Sequence, residues 1–151
     1  MTQLAETPYA QPLTPFDRTA LKVNQSAIII LLIVGFIFNQ AWLVACVAAV
    51  MTLGTAWPQA ALFQRLYRDV LRPAGLLRPD LQNEDAAPHR FAQGMGAGVL
   101  LIALLAFATG ATLVGWGLTL LVVVLAAVNL VFGFCAGCFV FFQLQRLRRA
   151  G

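Results

Sequence analysis

Two cysteines stand three residues apart in the stretch Gly133-Phe134-Cys135-Ala136-Gly137-Cys138. On a helix, positions i and i+3 share a face, so the two sulfurs can meet. The thiolate is the reactive form of cysteine, and it is favoured at a helix N-terminus, beside a cation, and within Cys-x-x-Cys. Such a pair offers thiol–disulfide exchange or sulfur relay, with Cys135 as nucleophile and Cys138 as resolving thiol. His89 and Arg90 are the groups able to give electrostatic support. A second reading stands beside this one. Free cysteine behaves as a small hydrophobe, and Gly133-x-x-x-Gly137 suits close packing of membrane helices, so the pair can be purely structural.

Other signals are weaker. Structural zinc takes four ligands, while the pair and His89, the single histidine, supply three; no metal is expected. Phe139 follows Cys138 where haem attachment needs a histidine. Gly94-x-Gly96-x-Gly98 has no strand before it and reads as helix packing rather than a phosphate loop. Asn24 and Asn129 read first as interhelical hydrogen-bonding groups, with ligand binding as the alternative. No Asp, Glu, Lys or Arg lies deep in an apolar run, which argues against an ion pathway. No Ser-His-Asp set or carboxylate pair is in view, and no motif asks for a cofactor.

The elements that must position these groups are overwhelmingly apolar. Of 151 residues, 60% are hydrophobic and 11% charged, less than half the roughly 25% of charge in a soluble domain. Lys22 and Arg65 enclose 42 uncharged residues, and Arg90 and Arg146 enclose 55. A helix crosses a bilayer core with about 20 residues, so each run holds two crossings. The net charge of +4 comes from residues at the edges of these runs, not from a basic patch interleaved with aromatics, so nucleic acid is not an expected partner. The fold class expected is an all-α integral membrane protein: four transmembrane helices as two hairpins, with a cytoplasmic amphipathic surface helix between them.

Along the chain, residues 1–13 read as a flexible tail. Residues 14–57 form the first hairpin. Thr14-Pro15-Phe16-Asp17 approaches a capping box with Pro at the first helical position, so a helix is expected from near Pro15 to Phe38. Asn39-Gln40 makes a turn, and a second helix runs from Ala41 to Trp57. In 58–84, Leu62, Leu66 and Val70 follow i, i+4, i+8 while Arg65, Arg68 and Arg72 take the other side; this is a surface-lying amphipathic helix stopped by Gly75, then a loop. Residues 85–149 form the second hairpin with a basic tail. Asp85 caps a helix with Pro88 in its first turn, running to Thr109; a turn at Gly110 leads to a last helix from Thr112. From 112 to 145 that helix is about 50 Å long, more than the roughly 30 Å core. It must tilt, break or bend along the surface, and a break at Gly133 sets Cys135 at the start of a new helix, 135–149.

The bases orient the chain. All ten Lys and Arg lie in the N-terminal segment, the central loop and the tail, and the positive-inside rule puts these three in the cytoplasm. Cys135 then falls about 35 Å along the last helix, at the inner membrane edge. His89 and Arg90 are level with it, and Asn24 and Asn129 lie in the same third. Cys46, five residues from the opposite turn, does not reach the pair.

Asp17 and Asn24, then Asp85-Ala86-Ala87-Pro88-x-Arg90-Phe91-Ala92, then Gly133-Phe134-Cys135-x-Gly137-Cys138, together resemble a bacterial family of short polytopic membrane proteins of unknown function. The resemblance covers about residues 15–142, and its last motif is the most specific. It implies residence in a bacterial inner membrane and weight on the cysteine motif; it carries no settled activity. By analogy only, the chain is also similar to four-helix disulfide-generating membrane enzymes of the vitamin K epoxide reductase and bacterial quinone-linked types, which carry Cys-x-x-Cys at a helix end near a membrane surface. It lacks their second cysteine pair and its motif is expected to face the cytoplasm, so the analogy implies a cytosolic thiol protein as partner. The alternative is a non-catalytic accessory or scaffold subunit of a larger membrane complex.

Overall fold

Long apolar runs broken by single tight turns dictate long helices. The computed structural model describes residues 16–57, 69–70, 73–75, 81–82 and 87–151. Among them are five helices: α1 (Arg18–Ile37), α2 (Ala41–Ala56), α3 (Ala87–Ala108), α4 (Thr112–Phe132) and α5 (Ala136–Ala150). The turn residues behave as their types require. Asn39, which tolerates a left-handed conformation better than most residues, has φ +51° between α1 and α2, and Gly110 has φ +82° between α3 and α4. Pro88 falls in the first turn of α3, where its missing N–H costs nothing.

The start of α1 differs from the capping-box expectation. Phe16–Asp17 (β1) is extended and pairs antiparallel with Leu81–Gln82 (β2), Phe16 opposite Gln82 and Asp17 opposite Leu81, so the helix begins only at Arg18. This ladder ties the entrance of α1 to the central segment. The amphipathic helix expected over 58–75 falls almost wholly outside the described residues, as does the tail 1–13.

Four helices form a ring in which α1 packs on α2, α2 on α3, α3 on α4 and α4 on α1, while α5 packs on α3. Each gives the centre one stripe at helical spacing: Asn24, Ile28, Leu32 and Gly35 from α1; Val44, Val47, Ala48 and Met51 from α2; Ala97, Leu100 and Ala103 from α3; Trp116, Thr119, Val122 and Val123 from α4. Small residues let α2 and α3 approach. A Cβ on Gly96 would stand 2.8 Å from Met51 Cε, and one on Gly94 3.1 Å from Thr55 Cγ2, so two of the three spaced glycines do serve packing.

The outside of the ring is apolar too. Ile30, Ile37, Phe38, Leu105, Leu113 and Phe132 are exposed, an arrangement that calls for lipid or another apolar cover. Three helices, α1, α3 and α4, are long and apolar enough to cross a membrane. The fourth of the ring, α2, has 16 residues, about 24 Å at 1.5 Å per residue.

The two turns are clamped together. Trp116 lies edge-on to Phe36 and Phe107, with ring centroids at 5.4 and 4.9 Å, and its indole N–H donates to Asn39 Oδ1 at 3.0 Å. Trp116→Phe keeps the ring packing and deletes the hydrogen bond. It is expected to lower stability by about 0.5–1.5 kcal/mol, in line with polar bonds between membrane helices, read by unfolding titration in mixed detergent.

Candidate functional site

The end of the ring opposite that clamp gathers the polar chemistry. There α4 stops because Gly133 takes φ +68° and caps it, with its N–H donating to the Asn129 carbonyl. Glycine adopts this conformation without the steric penalty of other residues. Gly133→Val is expected to cost about 1–2 kcal/mol from backbone strain, whereas Gly133→Asn should be tolerated; thermal unfolding of the two variants in the same detergent separates them. Gly133 is therefore a hinge between helices. The Gly133-x-x-x-Gly137 spacing does not act as one helix-packing face, because no helix contains both residues.

After the hinge, Cys135 is the N-cap of α5, extended at φ −95° and ψ 104°. Its carbonyl accepts from Phe139 N–H at 3.0 Å, and its sulfur accepts from Cys138 N–H at 3.2 Å. That is the place and bond that Ser, Thr or Asp normally occupies at a helix start. The Cys135 and Cys138 sulfurs are joined as a disulfide, with Cα atoms 5.1 Å apart. Both residues are half-buried. The Cys135 sulfur is thus placed at the N-terminus of α5, the kind of position at which a reactive cysteine is found.

His89 completes the group from the first turn of α3. Its Nδ1 lies 3.7 Å from Cys138 Sγ. The contact is possible because α5 sits very close to α3: a Cβ at Gly137 would fall 2.5 Å from Ala92 Cβ and 2.6 Å from its Cα. Phe91 and Phe141 also meet, at 5.4 Å between ring centroids. Arg90, one residue on, points elsewhere: its guanidinium donates to the Thr55 carbonyl at 2.9 Å, in the last turn of α2, where a cation suits the helix end. Of the two basic residues expected as support, His89 is the one brought into contact with the sulfurs. Cys46 is exposed on α2 as a free thiol.

One ligand atom each from His89, Cys135 and Cys138 lie within 4.8 Å of one another. Reduced, these supply three of the four ligands that structural zinc takes; the disulfide withdraws two of them. An adjoining cavity of about 180 Å³ is walled by residues of all five helices, among them Asn24, His89, Asn129 and Cys135. Asn24 is 6% exposed. Neither it nor Asn129 makes the interhelical side-chain hydrogen bond expected of it among the described residues. Gln25 and Gln93 also face this cavity. The sequence signal for Gln93 was its place four residues after His89, on the same face of α3 as Gly96.

Residues 16–146 match the family model described as Domain of unknown function (DUF4395). The chain belongs to this family. Neither the curated proteins nor the solved structures hold a match to it. What a DUF4395 chain can do chemically must therefore be argued from its site. In this one, a cysteine pair begins a helix and meets one histidine beside an apolar cavity.

Proposed function

We propose that this protein is a membrane-embedded dithiol protein that exchanges disulfides with a cytosolic thiol protein through Cys135 and Cys138. The supporting observation is the bonded pair at the start of α5 with His89 against Cys138. A partner thiolate attacks the Cys135 sulfur, breaking the Cys135–Cys138 bond and forming a mixed disulfide. Cys138 leaves as a thiolate and takes a proton from the His89 imidazolium, which regains one from water. A second partner thiolate then attacks the partner's own sulfur in the mixed disulfide. The partner leaves oxidised, and Cys135 leaves as a thiolate held at the α5 N-terminus. The reverse sequence reduces a partner disulfide.

In this reading α1 to α4 make four crossings, both termini face the cytoplasm, and α5 with Arg146, Arg148 and Arg149 lies along the inner face of a bacterial plasma membrane. The basic residues at the pair's end of the ring support that orientation.

The test is the thiol state across a series of glutathione redox buffers containing chelator, quenched with acid, unfolded and alkylated. The chain has three cysteines. The reduced form should carry three labels and the oxidised form one, on Cys46, with a reversible midpoint between. A pair that stays in one state across the whole series would rule out exchange and leave the scaffold reading.

A further inference from the structure

A cavity adjoins the Cys135–Cys138 pair. We propose that it binds the ring of a membrane quinone, which takes the electrons of the reduced Cys135–Cys138 pair. This rests on the dithiol reading above and extends it to the co-substrate.

Three independent features point to that ligand. The first is size. The space measures about 180 Å³, and an apolar cavity of roughly 150 Å³ takes one benzene ring, so one substituted ring fits.

The second feature is polarity. The lining is mostly apolar, with Val99, Val122 and Leu125 among it, and among the described residues it includes no Asp, Glu, Lys or Arg. Such walls favour a neutral ligand. Asn24 is nearly fully buried, yet its carboxamide has no hydrogen-bond partner among the described residues. Leaving a buried polar group unpaired costs about 1–3 kcal/mol, and such a group in a folded chain asks for an explanation. A bound ligand with oxygen atoms supplies one. A carboxamide donates through N–H and accepts through its carbonyl. Asn24 and Asn129 can therefore donate to quinone carbonyls and, with the carboxamide rotated, accept from quinol hydroxyls.

The third feature is position. Cys135 and His89 belong to the same wall, so ring and sulfur share one space. The cavity lies among helices able to cross a membrane, where an isoprenoid ligand resides.

The step balances. The two thiols lose two electrons and two protons, and the Cys135–Cys138 bond forms. The quinone gains two electrons and two protons and leaves as quinol. The Cys138 proton passes through His89, and the second proton, released when Cys135 ionises, returns from water.

The experiment uses the full chain in two forms. First, protein purified from native membranes is extracted with hexane; about one quinone per chain is expected, against a detergent blank. Second, pre-reduced protein in quinone-free nanodiscs is mixed with a short-chain ubiquinone, whose fully substituted ring cannot add to thiols. One quinol should form per pair oxidised, with ultraviolet absorbance and alkylation mass agreeing. Asn24→Leu should raise the half-saturating quinone concentration about tenfold, which corresponds to roughly 1.4 kcal/mol, with a much smaller effect on the maximal rate. Ala126→Phe, which fills the cavity, should abolish quinol formation; gel filtration and thermal unfolding verify that each variant is folded.

The proposal is overturned if the extract holds lipid but no quinone and the pair gives no quinol. Equal quinone dependence in wild type and both folded variants overturns it too. If glutathione disulfide oxidises the pair but quinone does not, this inference fails and the exchange reading stands. If neither oxidises it, both fail.

Discussion

Under the proposed exchange reaction, Cys135→Ser is expected to reduce disulfide exchange to the solution background, a loss on the order of a thousandfold or more for removal of a nucleophile. Cys138→Ser will behave differently. It will accumulate a mixed disulfide on Cys135 when offered a disulfide substrate, because the thiol that would release it is gone. The difference follows from position. The Cys135 sulfur sits at the start of α5 and accepts the Cys138 N–H at 3.2 Å, which gives it the nucleophile's part in the proposed exchange; Cys138 faces the imidazole at 3.7 Å, which gives it the resolving part. Intact-mass spectrometry after incubation with a disulfide reporter reads both results. If Cys138→Ser loses exchange while Cys135→Ser traps the adduct, the roles are reversed.

Gly137→Val will lift α5 away from α3. A Cβ there would meet Ala92 Cβ at 2.5 Å and its Cα at 2.6 Å, and backbone cannot yield as a flexible side chain does. Overpacking of this kind costs about 1–3 kcal/mol. That cost falls on the docking of α5, because the ring of α1 to α4 closes without it. Stability of the ring should therefore change by less than about 1 kcal/mol. Exchange should slow about 10- to 100-fold, the usual range for a positioned proton-transfer group being 10²–10⁴, because Cys138 loses its place beside His89. Ala92→Gly in the same chain removes one of the clashing atoms and should recover part of the rate. A double-mutant cycle measures that coupling, and independence of the two changes would refute the packing argument.

Local rules made much of the architecture legible. Asn39-Gln40 and Gly110 break otherwise unbroken apolar runs, so the starts of α2 and α4 fall at Ala41 and Thr112 as their flanking residues imply. A helix that outruns the bilayer needs a break, and Gly133 was the residue able to supply it. The start of α1 was not legible, because a two-residue ladder to the distant Leu81–Gln82 competed with the local cap and won. The fate of Arg90 was not legible either. Arg90 and His89 are adjacent in sequence and about 100° apart around α3, so only the neighbours decide which one meets the sulfurs. Here α2 offers the Thr55 carbonyl on one side and α5 offers Cys138 on the other.

The sequence by itself determined that the chain is a set of apolar helices and that its reactive groups gather at one end. Both follow from short-range periodicity, turn chemistry and the distance a helix rises per residue. Tertiary structure alone decided three things. It made His89 the partner of the pair, it turned Gly137 into the contact that holds α5 down, and it left the Asn24 carboxamide in a cavity with no partner among the described residues. Each depends on the closeness of helices far apart in the chain, set by the packing of side chains that no pattern along one segment encodes.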